Sequence, residues 1–406
     1  MPFPPTCRAD ACALDRSDPL AAAREAFELP EKTIYLVGHS LGPPPKSARA
    51  KVRAAEQAWR EDLVRSWNSA GWIDLAERTG ARIARLIGAP EGSVIITDNV
   101  TVNLFKLASA ALTLSQARHL SVEEDEFPTD QYIVSALGQQ SRLAVHRLAP
   151  GGGLDALRQG GVLVKSVVSY RSGEVADIGL HEEEARRHGA VIVWDLSHAA
   201  GILNLALEAD GARLAAGCTY KYLNGGPGAP AFAYVAGEIT ARVTSPLPGW
   251  MGHAAPFAFD AAYTPREGAA RFASGTPPIL SLAALDGALD AISGQEMRHL
   301  QSKAANLGAI AVARAKALGL EVLSPQEAAK RGGHVSLRLA DGYPVVQALA
   351  ARGVLADFRA PDTVRLGFSP LFLSYAEVWD AADALADILR TRSWDQPAFH
   401  ARAKVT

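Results

Sequence analysis

The sequence predicts an α/β fold in which helices cover both faces of a mostly parallel sheet. Strand-like and helix-like segments alternate through the first 290 residues, as they do in such folds. A loop rich in glycine and proline, Cys218–Pro230, interrupts the alternation, and beyond Ser281 the sequence becomes alanine-rich and helical. The length of 406 residues suits two domains. We therefore expect a large domain over residues 20–290 and a smaller α+β domain over residues 291–406, with residues 1–19 packed on the smaller one.

Runs of β-branched residues and helical spacing of apolar residues predict the elements in order. In the large domain the predicted strands are Ser93–Thr97, Leu143–Leu148, Val162–Val168, Ala190–Trp194 and Phe232–Val235. The predicted helices there are Val100–Leu114, Glu182–His188 and Leu282–Ile292. In the smaller domain the predicted elements are the helix Gln301–Leu318, the strands Val335–Leu339 and Val364–Gly367, and the helix Tyr375–Leu389. The clearest buried strand among them is Ala190–Trp194.

Composition and charge indicate a globular protein with a small-molecule partner. Hydrophobic residues make up 48% of the chain and charged residues 21%, which excludes a disordered chain. The formal net charge of -2 excludes a global attraction to nucleic acid or to an anionic membrane. No stretch reaches the ~20 apolar residues of a membrane helix, and the first residues lack the regions of a signal peptide. Three cysteines without metal-ligand spacing predict neither a disulfide framework nor a metal site, so we expect a cytoplasmic protein.

Two ionisable groups follow the clearest buried strand, at the sheet edge where α/β folds bind ligands. Asp195 ends this strand and His198 lies three residues later. Taken alone, Asp195 could simply cap the next helix. Lys221, however, lies further along the chain between Tyr220 and Tyr222, with a glycine-rich loop behind it. An ordinary lysine is a solvent-exposed side chain, but one in this setting suggests a reactive amine.

A lysine and an aspartate in this arrangement are what pyridoxal phosphate chemistry requires. The lysine amine forms an imine with the cofactor, and burial next to positive charge keeps that amine partly deprotonated. The carboxylate holds a proton on the pyridine nitrogen so that the ring can accept electrons. Opposite charges ~4 Å apart gain about 4 kcal/mol at an effective dielectric of ~20, so one aspartate suffices. The turn Asp98–Thr101 can supply N–H groups and a hydroxyl to the phosphate, although Thr101 could equally be a helix cap.

Seven sequence blocks then resemble one family, the kynureninases, which are pyridoxal phosphate enzymes of the aspartate aminotransferase fold type, fold type I. The blocks are Tyr35–Gly42, Asn99–Leu104, Phe127–Asp130, Trp194–Gly201, Cys218–Gly228, Gly249–His253 and Arg271–Pro278. The resemblance runs from about Ile34 to the C-terminus and is closest to the bacterial branch. It implies a large domain with a mostly parallel seven-stranded sheet between helices and a smaller C-terminal domain.

The resemblance also implies roles around the cofactor. Lys221 would be the Schiff-base lysine, Asp195 the partner of the pyridine nitrogen, and Tyr220 a residue that moves protons. Phe127 would stack on the ring, with Asp130 near its hydroxyl edge. The remaining cofactor contacts implied are Val100, Thr101 and Tyr220 at the phosphate, Ser166 and His198 nearby, and Trp250 and Thr276 from the neighbouring subunit of a homodimer. Alone, Phe127 and Trp250 could as well be core aromatics.

On the substrate side, the resemblance implies hydrolysis of L-kynurenine to anthranilate and L-alanine in tryptophan catabolism, with 3-hydroxykynurenine as the other candidate substrate. Arg365 would hold the α-carboxylate, a function that suits a planar two-pronged cation, although alone it could be an ion-pair partner. The other candidates around the substrate are Ser40, His39, Trp67, Trp250 and His253. Two positions depart from the family: His39 stands where Asn is usual, and Ser166 is smaller than the expected Thr.

Three other functions fit the same scaffold. A cysteine desulfurase needs a thiolate on a late mobile loop, but no cysteine follows Cys218, which we place in a strand as a buried thiol. An aminotransferase would pass the amino group to a keto acid. An inactive binding protein is disfavoured because Lys221 and Asp195 are both present.

Overall fold

The computed structural model describes residues 3–115 and 117–402. Its strands are β1 (Ile34–Tyr35), β2 (Val94–Ile96), β3 (His119–Glu123), β4 (Ala144–Leu148), β5 (Val162–Ser166), β6 (Val191–Asp195), β7 (Leu214–Gly217), β8 (Phe232–Val235), β9 (Glu321–Val322), β10 (His334–Arg338), β11 (Val354–Leu355), β12 (Asp357–Arg359) and β13 (Thr363–Gly367). Its α-helices are α1 (Arg8–Arg16), α2 (Lys46–Asp62), α3 (Ser66–Ser69), α4 (Leu75–Leu86), α5 (Val100–Leu114), α6 (Pro128–Ser141), α7 (Gly153–Leu157), α8 (Ile178–His188), α9 (Ile279–Ala288), α10 (Met297–Ala317), α11 (Gly342–Ala351), α12 (Tyr375–Thr391) and α13 (Pro397–His400).

Seven strands form the main sheet in the order β2-β8-β7-β6-β5-β3-β4. Strand β8 runs antiparallel to both of its neighbours, and the other pairings are parallel. Every residue of β6, β7 and β8 is buried, as expected for strands that helices cover on both faces. The predicted α/β fold with a mostly parallel seven-stranded sheet is therefore confirmed.

Several predicted elements agree closely with the structure and others do not. Helix α5 has the predicted bounds, and Asn99 caps it by accepting a hydrogen bond from the Val102 N–H at 3.1 Å. Strand β7 was not predicted, because its sequence Leu-Ala-Ala-Gly has little β-propensity. Cys218 directly follows β7 rather than lying in a strand. Helix α8 begins at Ile178, one turn before the charged segment that predicted it.

A second, four-stranded sheet has the order β12-β13-β10-β9 and is antiparallel throughout. The N-terminal helix α1 packs on α12 near this sheet: Arg8 forms an ion pair with Asp380 at 2.7 Å. The carboxylate of Asp15 accepts from the backbone N–H of Tyr375 at 2.6 Å, at the first turn of α12. The domain division near residue 290 stays a prediction.

The two large sheets bring the polar residues of the sequence blocks together. In the main sheet, Ser166 at the end of β5 pairs in register with Asp195 at the end of β6. Strand β13 of the second sheet carries Arg365 to the same region. Within the described residues, no helix is long and apolar enough to cross a membrane.

Candidate active site

A cavity of about 320 Å³ opens at the carboxyl ends of β5, β6 and β7. Its size is at the lower end of the range for small-molecule sites. Most of the predicted site residues line it, namely His39, Ser40, Val100, Thr101, Phe127, Asp130, Ser166, Asp195, His198, Tyr220, Lys221 and Arg365. The structure therefore brings together residues from both sheets that are far apart in the chain.

Lys221 and Asp195 both line the cavity. Backbone groups lie close to the Asp195 carboxylate and to the loop that carries Lys221. The Asp195 carboxylate accepts from the backbone N–H of Ser197 at 2.7 Å. Burial raises the pKa of Asp195, and the nearby charge of Lys221 opposes that rise. Gly42 lies so close to the lysine loop that an added Cβ would be 2.4 Å from the Lys221 carbonyl oxygen. Only glycine fits there, which explains its place in the Tyr35–Gly42 block.

Asp130 is a fully buried carboxyl group, and the Ser166 side chain lies close to it. It is 0% exposed, and neither carboxylate oxygen has a hydrogen-bond partner among the described residues. Burial raises its pKa well above the ordinary value, and the neighbouring Asp195 and Glu126 raise it further. A buried polar group left unpaired costs roughly 1–3 kcal/mol. The site therefore calls for a polar ligand group beside Asp130.

The start of α5 offers an anion site next to these carboxyl groups. Val100 and Thr101 occupy the first turn, where backbone N–H groups have no partner within the helix. The helix dipole adds partial positive charge at the same point. Asp98, just before the cap, has φ +46°, a conformation that Asp tolerates better than most residues. This turn can therefore receive a phosphate group.

The predicted stacking residue Phe127 has an accessible ring. Its side chain is 42% exposed, and it packs edge-on against Tyr170 with ring centroids 5.2 Å apart. A ring this exposed is not a core aromatic, the alternative that the sequence left open. The ring lines the cavity, where it can contact a planar ligand.

Arg365 is buried in the second sheet and faces the cavity. Its Nε and one terminal nitrogen donate to the Asp357 carboxylate at 2.9 and 2.6 Å, and its other terminal nitrogen donates to the Tyr170 carbonyl at 2.8 Å. A guanidinium has five N–H donors, so these three bonds leave two donors for a ligand. Arg365 is thus an ion-pair partner, as one alternative proposed, and still retains donors for a carboxylate.

Three imidazoles lie between Lys221 and Arg365. His39 stacks on His334 with ring centroids 5.3 Å apart, and His198 lies 5.6 Å from His334. Burial lowers the pKa of all three well below the ordinary value, and the charges of Lys221 and Arg365 lower it further. All three rings are therefore neutral at pH 7 and can donate or accept hydrogen bonds.

Four predicted site residues lie outside the cavity of the single chain. Trp67 packs edge-on against Trp72, and Trp250 is 38% exposed. Both ring nitrogens of His253 contact backbone groups, at 3.1 Å from the Ala262 carbonyl and 3.0 Å from the Ala255 N–H. Thr276 lines a neighbouring cavity of about 500 Å³ that also includes Tyr220. Their roles stay predictions.

Sequence reasoning missed several residues that line or support the cavity. Arg359 lines it, and Asp357 supports it by pairing with Arg365. The alternation of Asp357 and Arg359 in a short strand places both side chains on one face, a signal that could have found them. Tyr170 follows β5 by four residues and had no such signal.

Sequence comparisons with known proteins agree in naming one family. A family model described as the kynureninase C-terminal domain matches residues 300–385. The chain is 42% identical to a kynureninase of Pseudomonas fluorescens over 415 residues, which covers 99% of this chain and 100% of the relative. It is 43% identical over 414 residues to a kynureninase of Burkholderia pseudomallei (strain 1106a), covering 98% of this chain and 99% of the relative.

Solved structures show the same fold at lower identity. A cysteine desulfurase from Thermococcus onnurineus NA1 superposes with a TM-score of 0.79 at 18% identity, covering 91% of this chain and 98% of the other. A cysteine desulfurase from Escherichia coli has a TM-score of 0.76 at 17% identity, covering 92% and 98%. At these sequence identities the similarity shows a shared fold and does not indicate which substrate the protein binds.

Proposed function

The chain belongs to the kynureninase family, and we propose that the cavity around Lys221 is its active site for the hydrolysis of L-kynurenine to anthranilate and L-alanine. The observation that carries this proposal is the meeting of Lys221, Asp195 and Arg365 in one cavity, in a chain matched to kynureninases over almost its whole length. The desulfurase alternative is not favoured, because no cysteine follows Cys218.

Pyridoxal phosphate fits the polar groups that the cavity leaves without partners. The carboxyl group of Asp130 and Nδ1 of His198 are buried and unpaired among the described residues. The first turn of α5 would hold the phosphate, with Val100 and Thr101 as donors. Asp195 would hold the pyridine nitrogen, and Lys221 would form the covalent attachment. When bound, the cofactor supplies a ring that withdraws electrons from the substrate's α-carbon.

Two side chains of the cavity can move protons in the reaction. The Nζ atom of Lys221, once free of its covalent attachment, accepts the proton from the substrate's α-carbon. Burial raises the pKa of the Tyr220 hydroxyl above its ordinary value, so Tyr220 stays protonated at neutral pH and can donate a proton to a carbon or oxygen beside it. Arg365 holds the substrate's carboxylate through its two free N–H donors.

The decisive experiment measures anthranilate release. Purified protein loaded with pyridoxal phosphate should release fluorescent anthranilate from L-kynurenine. In Lys221→Ala, both this release and the visible absorbance band of the lysine-bound cofactor should disappear. Lys330→Ala is the matched control, because Lys330 is an exposed lysine whose ion pair in the described part of the chain is with Glu327. Absence of anthranilate from the loaded parent enzyme would contradict the proposal.

We also propose that the active enzyme is a homodimer in which Trp250 and Thr276 complete the partner's site. Large apolar side chains on the surface support this, since patches of this kind mark protein interfaces: Trp59 is 58% exposed, Leu63 63% and Val64 76%. Mixing Lys221→Ala with Trp250→Ala should restore part of the activity, because hybrid dimers contain one intact site. Two inactive variants that stay inactive after subunit exchange would contradict shared sites.

Two finer points belong to the same proposal. The enzyme is cytoplasmic, in keeping with three unpaired cysteines, Cys7, Cys12 and Cys218. Its other candidate substrate is 3-hydroxykynurenine, which differs by one ring hydroxyl. Comparing kcat/KM for the two substrates on one preparation measures the preference, since a pocket built around a hydroxyl rejects the analogue that lacks it.

A further inference from the structure

Two arginines of the second sheet share one buried carboxylate at the edge of the cavity. Asp357 Oδ2 lies 2.6 Å from a terminal nitrogen of Arg365 and 3.0 Å from a terminal nitrogen of Arg359. Asp357 pairs in register with Arg365 across β12 and β13, and Arg359 lies two residues further along β12. Both guanidiniums line the same cavity. They are therefore close enough to contact a single small anion together.

The two arginines differ in how firmly they are held. Arg365 is 2% exposed and makes three hydrogen bonds to protein atoms. Arg359 is 42% exposed, and within residues 3–115 and 117–402 its side chain forms an ion pair with Asp357 alone. Water can compete for the partly exposed Arg359 guanidinium, whereas the Asp357 carboxylate is 3% exposed and is also paired with Arg365. Arg365 is thus a fixed group, whereas Arg359 can leave Asp357 when another anion takes its place, since Asp357 then keeps Arg365 as a partner.

The charges at this end of the cavity leave an excess of positive charge. One carboxylate, Asp357, faces two guanidiniums. The nearest imidazole, His39, lies 3.8 Å from Asp357 and is neutral at pH 7, as is His334 behind it. Lys221 is the next cation toward the main sheet. The two guanidiniums and one carboxylate therefore have a net charge of +1, which a bound carboxylate would neutralise.

We propose that Arg359 is a second binding residue for the substrate's α-carboxylate. Its guanidinium leaves Asp357 and contacts the carboxylate of the substrate together with Arg365. This inference rests on the proposed function, in which Arg365 holds the same carboxylate. Arg359 at the cavity edge closes over the carboxylate after the substrate has entered, while Asp357 remains paired with Arg365. Arg359 therefore contributes to substrate affinity and not to the chemical steps at Lys221.

The test compares ligands with and without a carboxylate on the loaded enzyme. In Arg359→Gln, the KM for L-kynurenine should rise at least about 10-fold with kcat changed less than about 3-fold, as loss of a charge-assisted binding contact predicts. The dissociation constant of L-alanine, followed by the visible absorbance of the cofactor, should rise by a similar factor. That of ethylamine, which is alanine without its carboxylate, should stay unchanged. Arg359→Lys should lie between parent and Arg359→Gln.

Two controls separate direct contact from indirect effects. Arg338→Gln removes an arginine that is 49% exposed and paired with Glu321 and Asp362 outside the cavity, so it should leave all four constants unchanged. If Arg359 acted only by balancing Asp357, then Asp357→Asn combined with Arg359→Gln would restore alanine affinity. Under direct contact it does not.

The proposal is overturned if Arg359→Gln weakens alanine and ethylamine equally, if it weakens neither, or if the double variant recovers. Should the Gln variant fail to fold, the same comparison is made with Arg359→Lys. The alanine and ethylamine measurements need no cleavage of kynurenine. Failure of the parent enzyme to release anthranilate would therefore contradict the proposed function without deciding the role of Arg359.

Discussion

A buried ion pair next to the first turn of α5 predicts an asymmetry between two substitutions. The Lys106 ammonium contacts Asp98 Oδ2 at 2.5 Å, the Phe272 carbonyl, and the Ser274 hydroxyl at 3.0 Å. The Lys106 side chain is 1% exposed, whereas that of Asp98 is 25% exposed. Removing the aspartate charge should therefore destabilise the protein more than removing the lysine.

The magnitudes follow from what each substitution leaves behind. Asp98→Asn leaves a buried ammonium without its counter-charge, which should cost about 3 kcal/mol. Asn also tolerates the positive φ of this position, so backbone strain does not add to the loss. Lys106→Met leaves a partly hydrated carboxylate that still accepts from Ser274 at 3.1 Å, which should cost only about 1 kcal/mol. Burial already lowers the pKa of Lys106 despite Asp98, in line with a costly buried charge.

Urea denaturation of the cofactor-loaded enzyme measures the loss of stability of each variant, taken from the shift of the denaturation midpoint when the slope m is unchanged. The exposed lysine Lys330, paired with Glu327, provides the control: Lys330→Met should change stability by less than about 0.5 kcal/mol. The double variant of Asp98 and Lys106 should be more stable than Asp98→Asn alone. A Lys106→Met protein that is less stable than Asp98→Asn would refute the reasoning, because hydration of the remaining charge could not then be the deciding effect.

Three further predictions concern single groups. Burial raises the pKa of Glu182 to about 7, so the folded state keeps a proton that the unfolded chain loses above its ordinary pKa of 4.5. The free energy of unfolding therefore falls as the pH rises from 4.5 to 7. Glu182→Gln should remove up to about 3 kcal/mol of that fall, which urea midpoints at pH 5 and pH 8 would measure. Asn99→Ala removes the cap of α5, so it should lower the free energy of unfolding by about 1 kcal/mol, measured by thermal unfolding, and weaken the binding of the cofactor. An unchanged affinity for the cofactor would contradict the proposed position of the phosphate. Gly367→Ala would place a Cβ 2.0 Å from Nδ1 of His39. It should lower the free energy of unfolding by about 1–3 kcal/mol and raise the KM for L-kynurenine. Gly237→Ala is the control: its Cβ would meet no atom within 4 Å, so it should change neither the stability nor the KM.

Some residues that line the cavity were predictable because they follow a local sequence signal, whereas others, such as Phe127 and Asp130, were expected only from the family resemblance. Asp195 ends a continuous apolar run, and such runs form strands that are buried on both faces. Asn99 precedes a helical pattern and has a side chain suited to capping, so the predicted start of α5 at Val100 agrees with the structure. Glycines and prolines predicted the loop after Lys221. These signals depend only on neighbours in the sequence.

Residues whose position depends on long-range pairing were not predictable in the same way. Strand β7 has a weak local preference, and it forms because β6 and β8 pair with it on both sides. The alternation of Asp357 and Arg359 is a local signal, but their place beside Arg365 depends on the antiparallel register of β12 and β13. His334 joins the imidazole cluster from β10. For β7 and His334 the partners come from other segments of the chain, and a single sequence contains no signal for such pairings.

The charges of the cavity fix how an amino acid can lie in it. Asp195 and Lys221 lie at the end in the main sheet, together with Asp130, whose pKa burial raises well above the ordinary value; Arg365 and Arg359 lie at the end in the second sheet. Neutral imidazoles separate the two ends, since the flanking cations and burial keep their pKa values low. An amino acid whose carboxylate lies between the arginines therefore has its amine toward Lys221. The reversed orientation would place the carboxylate beside Asp195 and away from the two arginines, so the arginines favour the orientation that the proposed reaction requires.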